Sequence, residues 1–151
     1  MSSEKTTDVV VILPYLNNKI LLQLRDFKYN IVHPGRWGFF GGSINKGELP
    51  DVAALRELFE EISYRPPRIF FLGCFPIPTE NNKHAYIYYC PLDVPLQYLK
   101  LGEGVDFGLF KWAEIFTERL YSQKMGCHFP VVNTPFVLNT IQRVLSIVSR
   151  D

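Results

Sequence analysis

Hydrophobic residues are spaced along the chain in two ways, in short runs bounded by turn signals and at helical intervals. Residues 9–15 and 19–24 are rich in Val, Ile and Leu. Asn17-Asn18 between them is typical of a turn, so the two runs predict a β-hairpin. Later runs of the same kind predict further strands over 69–77, 83–90 and 106–112.

Helical spacing marks two segments. Residues 50–62 form the clearest predicted helix, because Pro50 suits a first turn and Asp51 suits the positive end of the helix dipole. Pro66 lies shortly beyond and is expected to stop it. Apolar residues at helical intervals predict a terminal helix over 134–149.

The remaining segments complete a mixed architecture. A helical turn is expected around 113–120, and residues 26–36 are interpreted as a loop. The Gly41-Gly42 pair is also expected to lie in a loop. Strands alternating with a few helices predict an α/β or α+β sandwich with a mixed sheet.

The composition is that of one globular domain. The chain has 151 residues, of which 47% are hydrophobic, and 12 Phe and 8 Tyr supply core material. Residues 1–151 are therefore expected to form a single domain that needs no disulfide or structural metal to fold. The polar residues 1–7 are expected to form a flexible N-terminus.

Charge and cysteine content narrow the partners and the compartment. A net charge of +1 gives no general reason to expect a nucleic-acid polymer or an acidic membrane as partner. The three cysteines form no CxxC pair, and no signal peptide or membrane-spanning apolar run is recognisable. The sequence predicts a cytoplasmic protein, with the oligomeric state open and a homodimer among the options.

The predicted helix 50–62 divides its side chains between two faces, at about 100° per residue. Glu57, Glu60 and Glu61 fall on one face, which is expected to be exposed. The opposite face, expected to be buried, carries Leu55, Leu58, Phe59 and Ile62. One interpretation is a solvated surface helix. The other is a divalent-cation site, because a cation relieves the repulsion between clustered carboxylates.

The residues before the helix favour a cation site. Gly41-Gly42 allows the backbone to approach a ligand or metal closely, and Glu48 adds a fourth acid. Five residues separate Gly42 from Glu48, and seven more lead to Arg-Glu-Leu-Phe-Glu-Glu-Ile-Ser-Tyr at 56–64. These positions resemble the Nudix box, in which a glycine and a glutamate at this spacing precede Arg-Glu-apolar-x-Glu-Glu-x-Gly-apolar.

Three positions depart from the usual pattern of the box. Ser63 replaces the late glycine, where a left-handed helix end costs a residue with a side chain about 1 kcal/mol. Leu49 replaces the usual capping hydroxyl, and Phe40 stands where proline is common. None of the three removes a reactive group. Residues 21–42 also look similar to the family, through Leu-Leu-Gln-Leu-Arg-Asp and Pro-Gly-Arg-Trp-Gly-Phe-Phe-Gly-Gly.

The resemblance implies a Nudix-type α/β/α sandwich with a mixed β-sheet and a catalytic metal centre built on the box. Glu60 and Glu61 would bind Mg²⁺ or Mn²⁺, and Glu57 would bind metal or act as the base. Arg56 would hold a glutamate in position. The supporting groups of the metal site would be Glu48 and the Gly41 carbonyl.

Members of the family often add an acid from a loop beyond the box. The candidates in this chain are Glu80, Asp93, Glu103 and Asp106. Glu103-Gly104 best resembles a Glu-Gly element found shortly before a strand in some members, so Glu103 is included among the expected metal ligands. The alternative is that Glu103 is an ordinary polar residue of a loop.

Substrate contacts are expected from residues around the glycine pair. Arg25 ends the second predicted strand and Arg36 precedes the glycines, and either guanidinium matches the geometry of a phosphate. The aromatic residues that could stack on a base are Trp37, Phe39, Tyr86 and Tyr88. Ordinary core packing is the alternative for each of them.

The acidic helix and the resemblance together predict hydrolysis, dependent on a divalent metal, of a diphosphate linkage in a nucleoside diphosphate derivative or a nucleoside triphosphate. A nucleoside monophosphate or another phosphorylated product would be released. The alternative is a non-catalytic nucleotide-binding or regulatory module, and a third option is a structural domain with a solvated acidic helix. Triphosphates, ADP-ribose and nucleotide sugars stay open as substrates, because the box recognises only the diphosphate.

Overall fold

The computed structural model of the protein describes residues 5–78 and 82–149. The strands are β1 Lys5–Leu16, β2 Lys19–Leu24, β3 Trp37–Gly38, β4 Phe40–Asn45, β5 Phe70–Pro76, β6 His84–Pro91, β7 Asp106–Lys111, β8 Arg119–Ser122 and β9 Cys127–Pro130. The helices are α1 Pro50–Ile62, α2 Trp112–Ile115 and α3 Pro135–Val148, and a 3₁₀ turn covers Leu96–Tyr98. Among these described residues, no helix has the length and apolar character needed to cross a membrane.

β1 is the strand on which the main sheet is built. On one side it pairs antiparallel with β4 and, at its C-terminal end, with β2, which confirms the predicted hairpin. On its other side it pairs in parallel with β6. β5 extends the sheet beyond β6, while β3 and β7 pair with β2. The resulting seven-stranded sheet is mixed, as predicted, and β8 and β9 form a separate hairpin.

Helices cover the main sheet on both faces. Because successive side chains of a strand point to opposite sides, β1 contributes apolar residues to the core beneath each helix. Val10 and Ile12 of β1 belong to the apolar cluster that includes Leu58 of α1. Leu13 belongs to the second cluster, which includes Ile141 of α3. The arrangement is the α/β/α sandwich that the resemblance implied.

The glycine pair lies in a strand, which corrects the prediction of a loop. Gly41 and Gly42 belong to β4 and pair with Val11 and Val10 of β1. A Cβ atom on Gly41 would lie 2.0 Å from the Val10 carbonyl oxygen, so this pairing depends on glycine. A glycine pair without context is typical of turns, and the close approach of β1 that requires it here cannot be recognised locally.

Other boundaries also differ from the prediction. The helical turn expected over 113–120 ends at Ile115, and β8 begins at Arg119. The β8–β9 hairpin was not predicted, because strands of four residues are too short to show a period. β1 includes residues 5–7, which the sequence assigned to the N-terminal segment, while residues 1–4 and 79–81 lie outside the described residues.

Trp37 is a central core residue. Its side chain is fully buried, and its ring lies edge-on to Phe110 with centroids 4.9 Å apart. Its indole Nε1–H donates to the Leu120 carbonyl at 3.0 Å, which links β3 to β8. The structure therefore places Trp37 in the core, in agreement with the alternative of ordinary core packing. Its ring has no exposed face for a nucleotide base.

Replacing Trp37 with Phe tests this structural role. The substitution removes buried volume and leaves the Leu120 carbonyl without its indole donor, so we expect a loss of about 2–3 kcal/mol in the free energy of unfolding. Urea unfolding followed by circular dichroism measures it. The matched control is Trp112→Phe, at a half-buried position on the protein surface. Equal losses for the two variants would contradict the assignment.

Candidate functional site

Helix α1 carries the acidic cluster, and both of its ends show the departures seen in the sequence. Leu49 at the N-cap makes no side-chain capping bond, and Pro50 occupies the first turn. Ser63 at the C-cap adopts φ 56° and ψ 37°, the left-handed conformation for which glycine is usual. Its N–H donates to the Phe59 carbonyl at 2.9 Å, so the helix ends here despite the serine.

The buried face of α1 differs from the helical-wheel prediction. Glu57 and Glu61, expected to be exposed, retain only 9% and 3% of their surface, and only Glu60 of the three is exposed. Leu55 and Phe59, expected to be buried, are each 37% exposed. The wheel assigned faces from hydrophobicity alone, whereas the helix turns two carboxylates towards the sheet. Leu58 and Ile62 are buried as predicted.

The two buried carboxylates fit against the glycines of β4. The Gly41 N–H donates to the Glu61 carboxylate, at 3.2 Å to one oxygen and 3.4 Å to the other. A Cβ atom on Gly42 would lie 2.5 Å from both carboxylate oxygens of Glu57. Glycine at both positions is therefore what lets α1 bury its acids against backbone instead of apolar side chains.

Arg56 organises the acids on the outer side of the cluster. Its guanidinium binds Glu48 through two hydrogen bonds, with Nε at 2.7 Å and Nη2 at 2.9 Å, and Nη2 also donates to the Ser43 carbonyl. Its Nη1 contacts Glu57 at 3.2 Å and Glu60 at 3.3 Å. Arg56 and Glu60 are i,i+4 neighbours, so helical spacing brings these two side chains together. Arg56 connects α1, the end of β4 and the segment before the helix.

Glu48 is committed to this network. Besides Arg56, it accepts a hydrogen bond from the Asn45 N–H at 3.0 Å. The hydrogen bond from Arg56 lowers the pKa of Glu48, and burial opposes that shift. Its carboxylate is therefore ionised and bound to a guanidinium, which places it beside the cluster as a support for Arg56.

The four acids proposed beyond the box have different positions. Glu103 is exposed, and its backbone lies next to the C-terminal turn of α1, because the N–H of the neighbouring Gly102 donates to the Glu61 carbonyl at 2.7 Å. Asp93 instead accepts a hydrogen bond from the Tyr64 hydroxyl at 2.7 Å, and Asp106 accepts one from Ser122 at 2.7 Å. Glu80 lies outside the described residues.

Burial and mutual repulsion raise the pKa values of the inner acids. Burial raises the pKa of Glu61 to about 9, with Glu57 and Glu103 adding to the shift, while the Gly41 N–H and Arg25 oppose it. Burial also raises the pKa of Glu57, although Arg56 opposes that shift. The site thus holds more potential negative charge than its own cations balance.

This donor set fits a hard divalent cation that completes its coordination from other sources. Within residues 5–78 and 82–149, no three His, Cys, Asp or Glu side chains converge into a ready metal cage. Mg²⁺ commonly binds through one or two carboxylates together with water and substrate phosphates. Glu57 and Glu61, with Glu103 nearby, meet that requirement, and a cation would relieve the repulsion that raises their pKa values.

Of the two candidate phosphate ligands, Arg25 is the one whose charge reaches the cluster. It follows β2 directly, and its charge acts on the pKa of Glu61. Its Nε donates to the Val32 carbonyl at 2.6 Å, and a guanidinium carries four further donors on its Nη atoms. Arg36 is half-buried, and its carbonyl accepts from the Arg25 N–H at 3.0 Å.

The remaining aromatic candidates lie on opposite faces of the sheet. Phe39 is partly buried against the cluster that includes α3. Tyr86 and Tyr88 belong to the face covered by α1, and Phe71 of β5 lies beside them with ring centroids 6.5 and 5.2 Å away. The structure therefore does not gather the aromatic candidates at one place.

Two residues that contact the segment around Glu103 or the end of α1 were not identified from the sequence. Gln23 is a buried polar residue in an otherwise apolar strand, and Gly102 lies against the C-terminal end of α1. The signals that could have found them were the lone glutamine within Leu-Leu-Gln-Leu and the two glycines flanking Glu103.

A sequence model of the NUDIX domain matches residues 5–126. The match covers most of the chain, including β1, the glycine strand and all of α1. The chain belongs to the Nudix family.

Solved structures with the same fold agree with that membership. A MutT NUDIX hydrolase from Burkholderia pseudomallei is 19% identical, with a TM-score of 0.66 and coverage of 91% of this chain and 96% of that one. The NUDIX domain of Shewanella oneidensis NrtR, complexed with ADP ribose, is 18% identical, with a TM-score of 0.68 and coverage of 98% and 90%. An Ap4A hydrolase from C. elegans is 12% identical, with a TM-score of 0.63 and coverage of 95% and 98%. At these identities the likeness shows the fold.

The raised pKa of Glu61 has a testable effect on the metal-free protein. A carboxyl whose pKa is about 9 in the folded chain, against an ordinary 4.5, adds stability below pH 4.5 that is lost as the pH rises towards 9. Glu61→Gln keeps the shape and cannot ionise. We expect it to melt roughly 3–6 °C above the wild type at pH 8, without that advantage at pH 5.

Thermal unfolding in EDTA measures this difference. The control is Glu114→Gln, because Glu114 is exposed and caps α2 away from the cluster. A wild type and a Glu61→Gln variant whose melting temperatures change in parallel from pH 5 to pH 8 would show that Glu61 does not carry the raised pKa.

Proposed function

We propose that the protein hydrolyses a diphosphate linkage in a nucleoside diphosphate derivative or a nucleoside triphosphate, with Mg²⁺ or Mn²⁺ as cofactor. The observation that carries the proposal is the pair of buried carboxylates, Glu57 and Glu61, held against the glycines of β4. Buried acids with raised pKa values and few cations around them are typical of functional sites. The products would be a nucleoside monophosphate or another phosphorylated compound.

The residues of the Nudix box would have different roles in the reaction. Glu57 and Glu61 would hold the cation, with Glu60, Glu103 and the Gly41 carbonyl as further proposed ligands. A bound divalent cation supplies charge neutralisation for the diphosphate and a lower pKa for bound water. Glu57 is also the proposed base, as an alternative to a purely metal-binding role, because a buried carboxylate with a raised pKa can accept a proton.

Arg56 would act as a positioning residue. It is bound on one side by Glu48 and the Ser43 carbonyl, and it contacts Glu57 and Glu60 on the other. A guanidinium so fully engaged has little capacity left for substrate. We therefore assign Glu48 to the support of Arg56 in preference to direct metal binding.

Arg25 is the proposed contact for the substrate phosphates. The effect of its charge on Glu61, together with its remaining Nη donors, supports this role. Related proteins support a nucleotide-type substrate, since the Shewanella oneidensis domain was crystallised with ADP ribose and the C. elegans protein is named an Ap4A hydrolase. Phe39, Tyr86 and Arg36 stay as further proposed substrate contacts.

The reaction is tested by a screen of nucleoside triphosphates and nucleoside diphosphate derivatives with Mg²⁺ and Mn²⁺. We expect metal-dependent release of a monophosphate, and a loss of about 100-fold or more in kcat for Glu57→Gln and for Glu61→Gln. Glu114→Gln, the same change at an exposed position, is the control.

Two results would contradict the proposal. Wild-type turnover that survives EDTA would exclude metal-dependent catalysis. Tight binding of a nucleotide diphosphate without any product over a long incubation would instead identify a binding or regulatory module on the Nudix fold.

The role of Arg25 is tested by Arg25→Gln. Losing a charge-assisted contact to phosphate is expected to raise KM about 10-fold or more, with a smaller effect on kcat. Arg25→Lys keeps the charge and should recover part of the loss. Arg143→Gln is the control, because Arg143 lies over the Phe75 ring on the α3 side of the sheet. An unchanged KM for Arg25→Gln would remove Arg25 from the substrate site.

A further inference from the structure

Residues 100–105 pass the C-terminal end of α1, and two of their backbone N–H groups cap its last carbonyls. The Lys100 N–H donates to the Ile62 carbonyl at 3.0 Å, and the Gly102 N–H donates to the Glu61 carbonyl at 2.7 Å. The last carbonyls of a helix have no partner within it, so this segment satisfies two of them. The backbone on one side of Glu103 is thereby fixed to the helix that carries the acids.

The approach of this segment to α1 requires glycine. A Cβ atom on Gly102 would lie 2.1 Å from the Glu60 carbonyl oxygen, which is far inside van der Waals contact. On the other side of Glu103, the Val105 N–H donates to the Leu24 carbonyl at 2.8 Å. Glu103 is therefore held between a helix end and the end of β2.

Gln23 fixes the peptide of Glu103 itself. Its side-chain amide donates to the Glu103 carbonyl at 3.2 Å, across 80 residues of sequence. Gln23 is 3% exposed and stands between Leu22 and Leu24, which are fully buried. A buried amide in an apolar strand is costly unless it is hydrogen-bonded, so this contact makes the glutamine acceptable at its position.

We propose that Gln23 is a positioning residue for the metal centre, which holds Glu103 towards Glu57 and Glu61 so that a divalent cation is bound by acids from both the helix and the loop. This inference rests on the proposed function in one respect, namely that a divalent cation binds at the cluster. If Gln23 instead only satisfies a buried carbonyl, its loss should change Mn²⁺ affinity equally whether or not Glu103 is present, or leave that affinity unchanged.

A double-mutant cycle on the full chain separates the two roles. Mn²⁺ binding without substrate is measured by electron paramagnetic resonance for the wild type, Gln23→Met, Glu103→Gln and the double variant. Methionine has nearly the same volume as glutamine and no donor. We expect Gln23→Met to weaken Mn²⁺ binding about 10-fold in the wild-type background, and less than twofold when Glu103 is already changed.

Two further variants complete the test. Gln97→Met, the same change at an exposed position in the 3₁₀ turn, should leave Mn²⁺ affinity unchanged. Gly102→Ala should weaken it without touching Gln23, because the added methyl displaces the segment from the α1 carbonyls. If Gln23→Met does not fold, Gln23→Asn is measured in the same two backgrounds, because it keeps the amide but is one methylene too short to hold the 3.2 Å bond to the Glu103 carbonyl.

The inference would be overturned if Gln23→Met lowered Mn²⁺ affinity equally in the wild-type and Glu103→Gln backgrounds, or in neither. A wild type that does not bind Mn²⁺ would also overturn it. The outcome is independent of turnover. Coupling between Gln23 and Glu103 in a protein that hydrolyses nothing would support the inference while the proposed reaction fails. Hydrolysis that needs metal, without such coupling, would overturn the inference alone.

Discussion

Two glutamates of α1 lie directly against the glycine backbone of β4, and the geometry of the site depends on that contact. The Glu61 carboxylate accepts a hydrogen bond from the Gly41 N–H, and the Glu57 carboxylate occupies the space that a Cβ on Gly42 would fill. The contact fixes how α1 is rotated about its axis, so that Leu58 and Ile62 reach the core while Phe59 stays partly exposed. The glycines are thus a condition for the orientation of the whole helix.

This contact leaves an electrostatic conflict that the chain resolves only in part. Burying carboxylates costs free energy unless they are paired, and the strongest cation nearby, Arg56, is mainly engaged with Glu48. Glu61 has the Gly41 N–H and the field of Arg25, which do not offset burial, so its pKa stays far above the ordinary value. A divalent cation bound as proposed would relieve this conflict, which is strongest at Glu61.

The sequence predicted the parts of the molecule whose signals are local. The β1–β2 hairpin and α1 follow from the Asn17-Asn18 turn, from Pro50 and Asp51 in the first helical turn, and from helical spacing. The buried side of α1 could not be obtained in this way, because hydrophobicity alone assigns glutamates to solvent. Their burial depends on glycines from another strand, and the support of Glu103 depends on Gln23, far away in the chain.

The hydrogen bond between Gln23 and the Glu103 peptide joins parts of the chain that are far apart in sequence. It closes a segment of 80 residues, so it costs more loop-closure entropy than the local contacts of the β1–β2 hairpin or of α1. The hairpin and the helix can form early from local contacts, whereas the complete acidic site exists only in the closed chain. A divalent cation bound by the loop acid, as proposed, would therefore bind the finished fold in preference to partly folded forms, and its binding would shift the population towards that fold.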